Sequence, residues 1–165
     1  MKRLVFFINL LLVLSSTFPA CAKDNDNTGA ETPGNNENNK PEEIIENMKL
    51  KVTIGNTVLT ATLTDNPTAK DFVKLLPLTV KLDDYTSSEK IFYPERKLST
   101  QSAAAINAVA GDITYYSPWG NIAIFYKDFG HSTSLIRIGK FDGNIDVLKT
   151  AGSINNVTFE LQEKE

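Results

Sequence analysis

Gly111-Asp112-Ile113-Thr114-Tyr115-Tyr116-Ser117-Pro118-Trp119-Gly120-Asn121-Ile122-Ala123-Ile124-Phe125-Tyr126 is the stretch on which the fold of this chain turns. Two runs of β-branched and aromatic residues flank Ser117-Pro118-Trp119-Gly120-Asn121, a segment rich in turn formers. Two strands, 113–116 and 121–127, joined by that turn are therefore predicted. Side chains alternate along a strand, so Ile122, Ile124 and Tyr126 share one face and Ala123 and Phe125 the other. Trp119 stands out, because an indole in a turn carries a large apolar surface that favours burial. It either folds back as a lid or lines a ligand pocket.

Working outward, Ser134 to Lys140 reads as a third strand, Asp142 to Lys149 as a turn with one short helix, and Val157, Phe159 and Leu161 as the apolar row of a closing strand. Upstream, Leu50, Val52 and Ile54 alternate with Lys51 and Thr53, Gly55-Asn56 is a turn pair, and Leu59, Ala61 and Leu63 alternate with Thr60 and Thr62. That is a β-hairpin by period and by turn chemistry. Asn66 or Thr68 can cap a helix with Pro67 in its first turn. Phe72, Val73, Leu75 and Leu76 would form its buried face, and Pro77 would end it after about two and a half turns. Strand pattern returns at Leu78, Val80 and Leu82. Residues 83–111 carry no clear period and read as irregular, with an Ala-rich stretch at 103–110. Many short strands with one real helix predict a mainly β fold, a small barrel or a sandwich; a closed barrel has the merit of leaving no free strand edge.

Taken together, the Gly-Asp-Ile-x-Tyr-x-x-Pro-Trp-Gly-Asn-x-Ala-Ile-Phe-Tyr run and the order of elements around it resemble the small bacterial cyclophilin-like domains. Ile136-Arg137-Ile138-Gly139-Lys140-Phe141, the short helix and the final strand follow in the same order. The resemblance covers about residues 48–163 and implies a closed β-barrel with one or two short helices. True cyclophilins are peptidyl-prolyl isomerases whose site takes an arginine from a Phe-His-Arg motif, a glutamine from a Phe-Met-x-Gln-Gly-Gly motif and an aromatic pocket for the proline. Neither motif occurs here. Arg96, in Tyr93-Pro94-Glu95-Arg96-Lys97, is the one arginine in the corresponding part of the chain, and its surroundings differ. Phe125 falls near the family's pocket phenylalanine, and the pocket histidine would fall near Leu135, with His131 four residues away. The resemblance thus implies the fold more than the isomerase activity.

The N-terminus carries an address. Lys2 and Arg3 precede an apolar run, Leu4 to Leu14, broken only by Asn9, and small and hydroxyl residues lead to Phe18-Pro19-Ala20-Cys21. A charged start, an apolar centre and a small residue before the end make a secretory signal, and 11 residues fall short of the ~20 that span a bilayer. Cys21 is the single cysteine, so an intrachain disulfide is excluded. Its setting after Ala20 resembles a bacterial lipoprotein box. Residues 1–21 are therefore expected to be a lipoprotein signal peptide, with Cys21 the lipidated residue and a membrane the partner that the lipid engages. Ala22-Lys23-Asp24-Asn25-Asp26 resembles the short acidic tags of surface lipoproteins in the Bacteroides group, which implies a cell-envelope, outer-membrane location with outward display. Residues 22–47, with seven acids against two lysines, read as a disordered acidic tether. Residues 48–165, with 13 acids and 13 bases, read as one domain. Balanced charge argues against nucleic-acid binding.

Six side chains are candidates for a ligand pocket: Tyr93, Arg96, Tyr115, Trp119, Asn121 and Phe125. With Tyr116 and Tyr126 they form an aromatic set with a few polar groups, the composition of a ligand site; the alternative is that much of the set is core. No catalytic residue, metal or cofactor is expected. His131 has no partner His or Cys, and Ser132, His131 and Asp128 lack a Gly-x-Ser-x-Gly turn. Three functions stay open: a binding module for a small molecule or peptide, a degenerate isomerase or other enzyme in the same cleft, and a structural envelope lipoprotein without ligand.

Overall fold

The computed structural model describes residues 48–101 and 104–162, so the predicted signal, Cys21 and the tether lie outside the described residues. The predicted hairpin forms as strands β1 (Lys49–Ile54) and β2 (Thr57–Leu63). Ile54 pairs with Thr57 across the two-residue turn, and the positive φ of +56° falls on Gly55, where only glycine adopts it freely. Helix α1 (Pro67–Val73) starts where predicted: Asn66 Oδ1 accepts from Ala69 N at 2.8 Å and Pro67 sits in the first turn. It is shorter than the pattern suggests. It ends at Val73, buries Thr68, Ala69 and Phe72, and leaves Val73, Leu75 and Leu76 half-buried against the core.

Strands β3 (Leu78–Tyr85) and β4 (Glu89–Phe92) follow, then β5 (Ile106–Ala108), β6 (Asp112–Tyr116), β7 (Asn121–Phe125), β8 (Gly130–Ser132), β9 (Leu135–Phe141), a 3-10 turn at Asp146–Lys149 and β10 (Ile154–Leu161). The stretch expected to be irregular therefore holds β4, β5 and the end of β3. Strand β4 was invisible to periodicity because all four of its residues are buried, the two charged ones included. The strands β1-β10-β3-β4-β7-β6-β9-β2 close into an antiparallel barrel, which leaves none of the eight with a free edge. The paired β5 and β8 form a separate two-stranded sheet. At the β2–β9 seam, a Cβ on Gly139 would lie 2.9 Å from the Thr62 carbonyl oxygen, so the close approach of the two backbones requires glycine.

Alternation sorts the barrel side chains into two populations. Ile113, Tyr115, Ile122, Ile124, Ile136, Ile138 and Phe159 point inward and join Leu50, Val52, Phe72 and Phe92 in the main core. The opposite parity, Ile91, Ala123, Phe125 and Leu135, forms a second apolar cluster with Ala108 of β5 on the outside of the barrel. The interior also holds one charge. Lys90 is fully buried, and its Nζ donates to Asp84 Oδ1 at 2.7 Å and to the Thr150 and Gly152 carbonyls at 2.6 and 2.7 Å, while Tyr126 Oη donates to the same Asp84 oxygen at 2.7 Å.

Candidate functional site

The outer cluster is the floor of a cleft of about 490 Å³, within the range of ligand pockets. Outward positions of β4 and β7, namely Glu89, Ile91, Asn121, Ala123 and Phe125, line it together with Leu135. Phe129, His131 and Ser132 border it from the β8 side, with Phe129 packed on Phe125 at 5.2 Å between ring centroids. The β6–β7 turn supplies Trp119. Tyr116 pairs with Asn121 across that turn, Gly120 N donates to Tyr116 O at 2.8 Å, and Gly120 takes φ +77°. This tight turn sends the indole sideways over the outer face. There it meets Tyr116 and Tyr85 edge-to-face, at 5.5 and 5.6 Å. Trp119 is 51% exposed, so it is a wall of the cleft and does not fill it.

Three of the six predicted pocket residues, Trp119, Asn121 and Phe125, come together in this cleft. The other three do not line it. Tyr115 points into the barrel beside Ile113 and is 1% exposed; its Oη accepts from Leu98 N at 3.2 Å. The neighbouring tyrosine, Tyr116, takes the outward place, and strand parity is the reason. Arg96 lies beyond the end of β4 and makes a two-pronged ion pair with Asp71 of α1, at 2.8 and 2.9 Å. That guanidinium holds the Asp71 carboxyl below the usual carboxylate range. Tyr93 is exposed and is not among the lining residues.

Tyr85, Glu89 and Phe129 also line the cleft and carry no signal in the sequence pattern. Tyr85 and Glu89 face each other across the β3–β4 hairpin, which periodicity did not reveal. Glu89 is 8% exposed and, among the described residues, its carboxyl forms no hydrogen bond or ion pair. Burial without a partner pushes its pKa up to about 7. At the other end of the same outer row, Asn121 is 3% exposed and its Oδ1 is unpartnered, while its Nδ2 donates to Ile122 O at 3.3 Å. His131 Nδ1 contacts Asn107 Oδ1 at 3.3 Å, and no cluster of His, Cys, Asp and Glu that could hold a metal occurs among the described residues. The cleft thus offers aromatic faces, hydrogen-bond acceptors and one carboxyl whose protonation is poised near neutrality.

A family profile described as the cyclophilin-like family matches residues 52–160. The solution structure of a hypothetical protein from Archaeoglobus fulgidus is similar, with a TM-score of 0.57 at 17% identity over 73% of this chain and 98% of that one, a likeness of fold. No curated protein matches the chain significantly.

Proposed function

The chain belongs to the cyclophilin-like family, and from that premise we propose that it is a binding module, anchored to a membrane through a lipid on Cys21, which holds a small molecule or peptide in its outer cleft and does not isomerise prolyl bonds. One observation carries the binding reading. Of the five large apolar side chains exposed among the described residues, Tyr85, Trp119 and Phe129 border this one cleft, while Val58 and Tyr93 stand apart. Exposed aromatics gathered around a concavity mark a contact surface. The lack of isomerase activity is supported by chemistry: no arginine lines the cleft, and Arg96 is committed to Asp71.

A thermal-shift screen of small molecules and short peptides tests the reading. Ligands that stabilise the protein are expected to lose at least about 30-fold in affinity in Trp119→Ala, the loss of about 2 kcal/mol typical of an aromatic anchor. In a prolyl-peptide assay the protein is expected to leave the isomerisation rate at its uncatalysed value. Glu89 favours a second reading, since a carboxyl with a pKa near 7 inside a cleft suits general acid–base work. An acceleration of any substrate that disappears in Glu89→Gln would establish it.

The location rests on the signal segment and on Cys21. We place the protein in the cell envelope as an outer-membrane lipoprotein, with residues 22–47 as the tether. Among the described residues no helix is long and apolar enough to cross a membrane. Cys21→Ser is expected to move the protein from the membrane fraction to the soluble fraction, and retention on the membrane would overturn the lipid anchor.

A further inference from the structure

We infer that the cleft selects an extended cation, a linear ligand with an ammonium or guanidinium group at its Glu89 end and an N–H donor at its Asn121 end. The inference deepens the binding reading above and rests on it.

Among the described residues that line the cleft, one polar atom is both buried and unpartnered, and it is an acceptor. Asn121 is almost wholly buried, and its carboxamide oxygen has no donor. The opposite amide orientation would set two oxygens 3.3 Å apart where Nδ2 now meets the Ile122 carbonyl, so the open position is an acceptor. The Glu89 carboxyl likewise meets no donor. A buried acceptor without a donor is destabilising; a ligand N–H at Asn121 would relieve that, and a cation at Glu89 would balance its carboxylate. Acidic and basic ligands are not treated alike. No lysine or arginine lines the cleft, whose titratable groups are Glu89, His131 and the phenols of Tyr85 and Tyr116. Asp84 and Lys90, the neighbouring charges on β3 and β4, pair with each other on the barrel side, and Tyr126 on the β7 flank donates a hydrogen bond to Asp84. An anion would therefore find a carboxylate and no countercharge, whereas a cation finds a carboxylate among ring faces. Trp119, held edge-on by Tyr85 and Tyr116, offers the strongest cation–π surface of the side chains.

Length follows from register. Glu89 lies opposite Phe125, and Asn121 is four residues back on the same face of β7. At about 3.4 Å per residue the two acceptors stand roughly 14 Å apart along the floor. Ala123, between them, keeps the floor low. A single small cation reaches one acceptor and not the other; a linear polyamine or an extended peptide with a lysine or arginine reaches both.

Isothermal titration of the purified full-length protein decides this, with spermidine, a lysine-containing tetrapeptide, methylammonium and suberate as probes. Spermidine or the peptide is expected to bind at pH 7, whichever is tighter identifying the source, with methylammonium at least 10-fold weaker and suberate silent. Binding is expected to release protons, seen as a heat that depends on the buffer, because the cation ionises Glu89. Glu89→Gln should weaken the cation at least 10-fold and abolish the proton release, and Asn121→Ala should weaken the linear probes while leaving methylammonium unchanged. Suberate binding, or equal affinity in Glu89→Gln, overturns the cation and leaves the binding module standing. Silence from every probe overturns the cation too. Only silence joined to an empty thermal-shift screen overturns the binding module as well.

Discussion

Lys90→Met is expected to lower the unfolding free energy by about 2–4 kcal/mol, because removing the fully buried ammonium strands two carbonyls and the part-exposed Asp84 carboxylate. The thioether keeps most of the volume of the lysine stem, so the loss is electrostatic. The ammonium satisfies three acceptors at once, Asp84 Oδ1, Thr150 O and Gly152 O, all within 2.7 Å. It also lies 5.4 Å from the centre of the Tyr126 ring. Without it, two carbonyls and a carboxylate are left facing an apolar side chain, and the segment between the 3-10 turn and β10 loses its tie to β4. Acid sensitivity should change as well. The hydrogen bond from Lys90 is the main cause that lowers the Asp84 pKa, with Tyr126 next. A lowered carboxyl contributes stability that is present above its ordinary pKa of 3.8 and is lost as pH falls. Urea unfolding at pH 7 and pH 3 checks both points: the variant should lose less than the parent on acidification, and a loss at pH 7 below 1 kcal/mol would show that the buried ammonium does not secure that end of the barrel.

Glu89→Gln is expected to be more stable than the parent at pH 8, by up to about 3 kcal/mol, and equal to it near pH 4. The sign follows from the raised pKa. Below 4.5, the ordinary value, Glu89 is protonated in both states and burial costs no charge. Between 4.5 and about 7 the unfolded chain releases the proton and the folded chain keeps it, so stability falls as pH rises. Above about 7 the full cost is in place, with 1.36 kcal/mol for each pKa unit giving about 3. Asp71, Asp83 and Asp142 titrate with the opposite sign, their pKa values being lowered. They are common to both proteins and cancel in the difference. Urea midpoints across pH 4 to 8 measure it, and parallel profiles would mean that Glu89 is solvated in the folded protein. A residue that costs stability at neutral pH, placed in a cleft with exposed aromatics, is what a site retained for binding would look like.

Much of this protein is legible in short windows. The β1–β2 hairpin, the Asn66 cap and the β6–β7 turn depend on residues within three or four positions of one another, and period and turn chemistry report such relations directly. The same alternation rule assigns Ile122 and Ile124 to the barrel interior and Ala123 and Phe125 to the outside, as the two apolar clusters have them. Carried one strand further back, it also distinguishes Tyr115 from Tyr116.

Strand β4 is the opposite case. By itself Ser88-Glu89-Lys90-Ile91-Phe92 reads as charge followed by two apolar residues, the pattern of a solvated turn and a strand end. Both charges are buried because of partners far away in the chain. Lys90 meets carbonyls about 60 residues on, and Glu89 faces a floor built by β7 and bordered by Phe129 and Trp119. The sequence by itself determined the β1–β2 hairpin, strands β3, β6, β7, β9 and β10, and the turn that carries Trp119. Only barrel closure decided that the outer face of β4 and β7 is covered, that Arg96 is drawn away to α1, and that Glu89, with no signature of its own, stands in the cleft. The physical reason is range: alternation is a property of adjacent residues, whereas the burial of a charge is a property of whichever distant strands come to surround it.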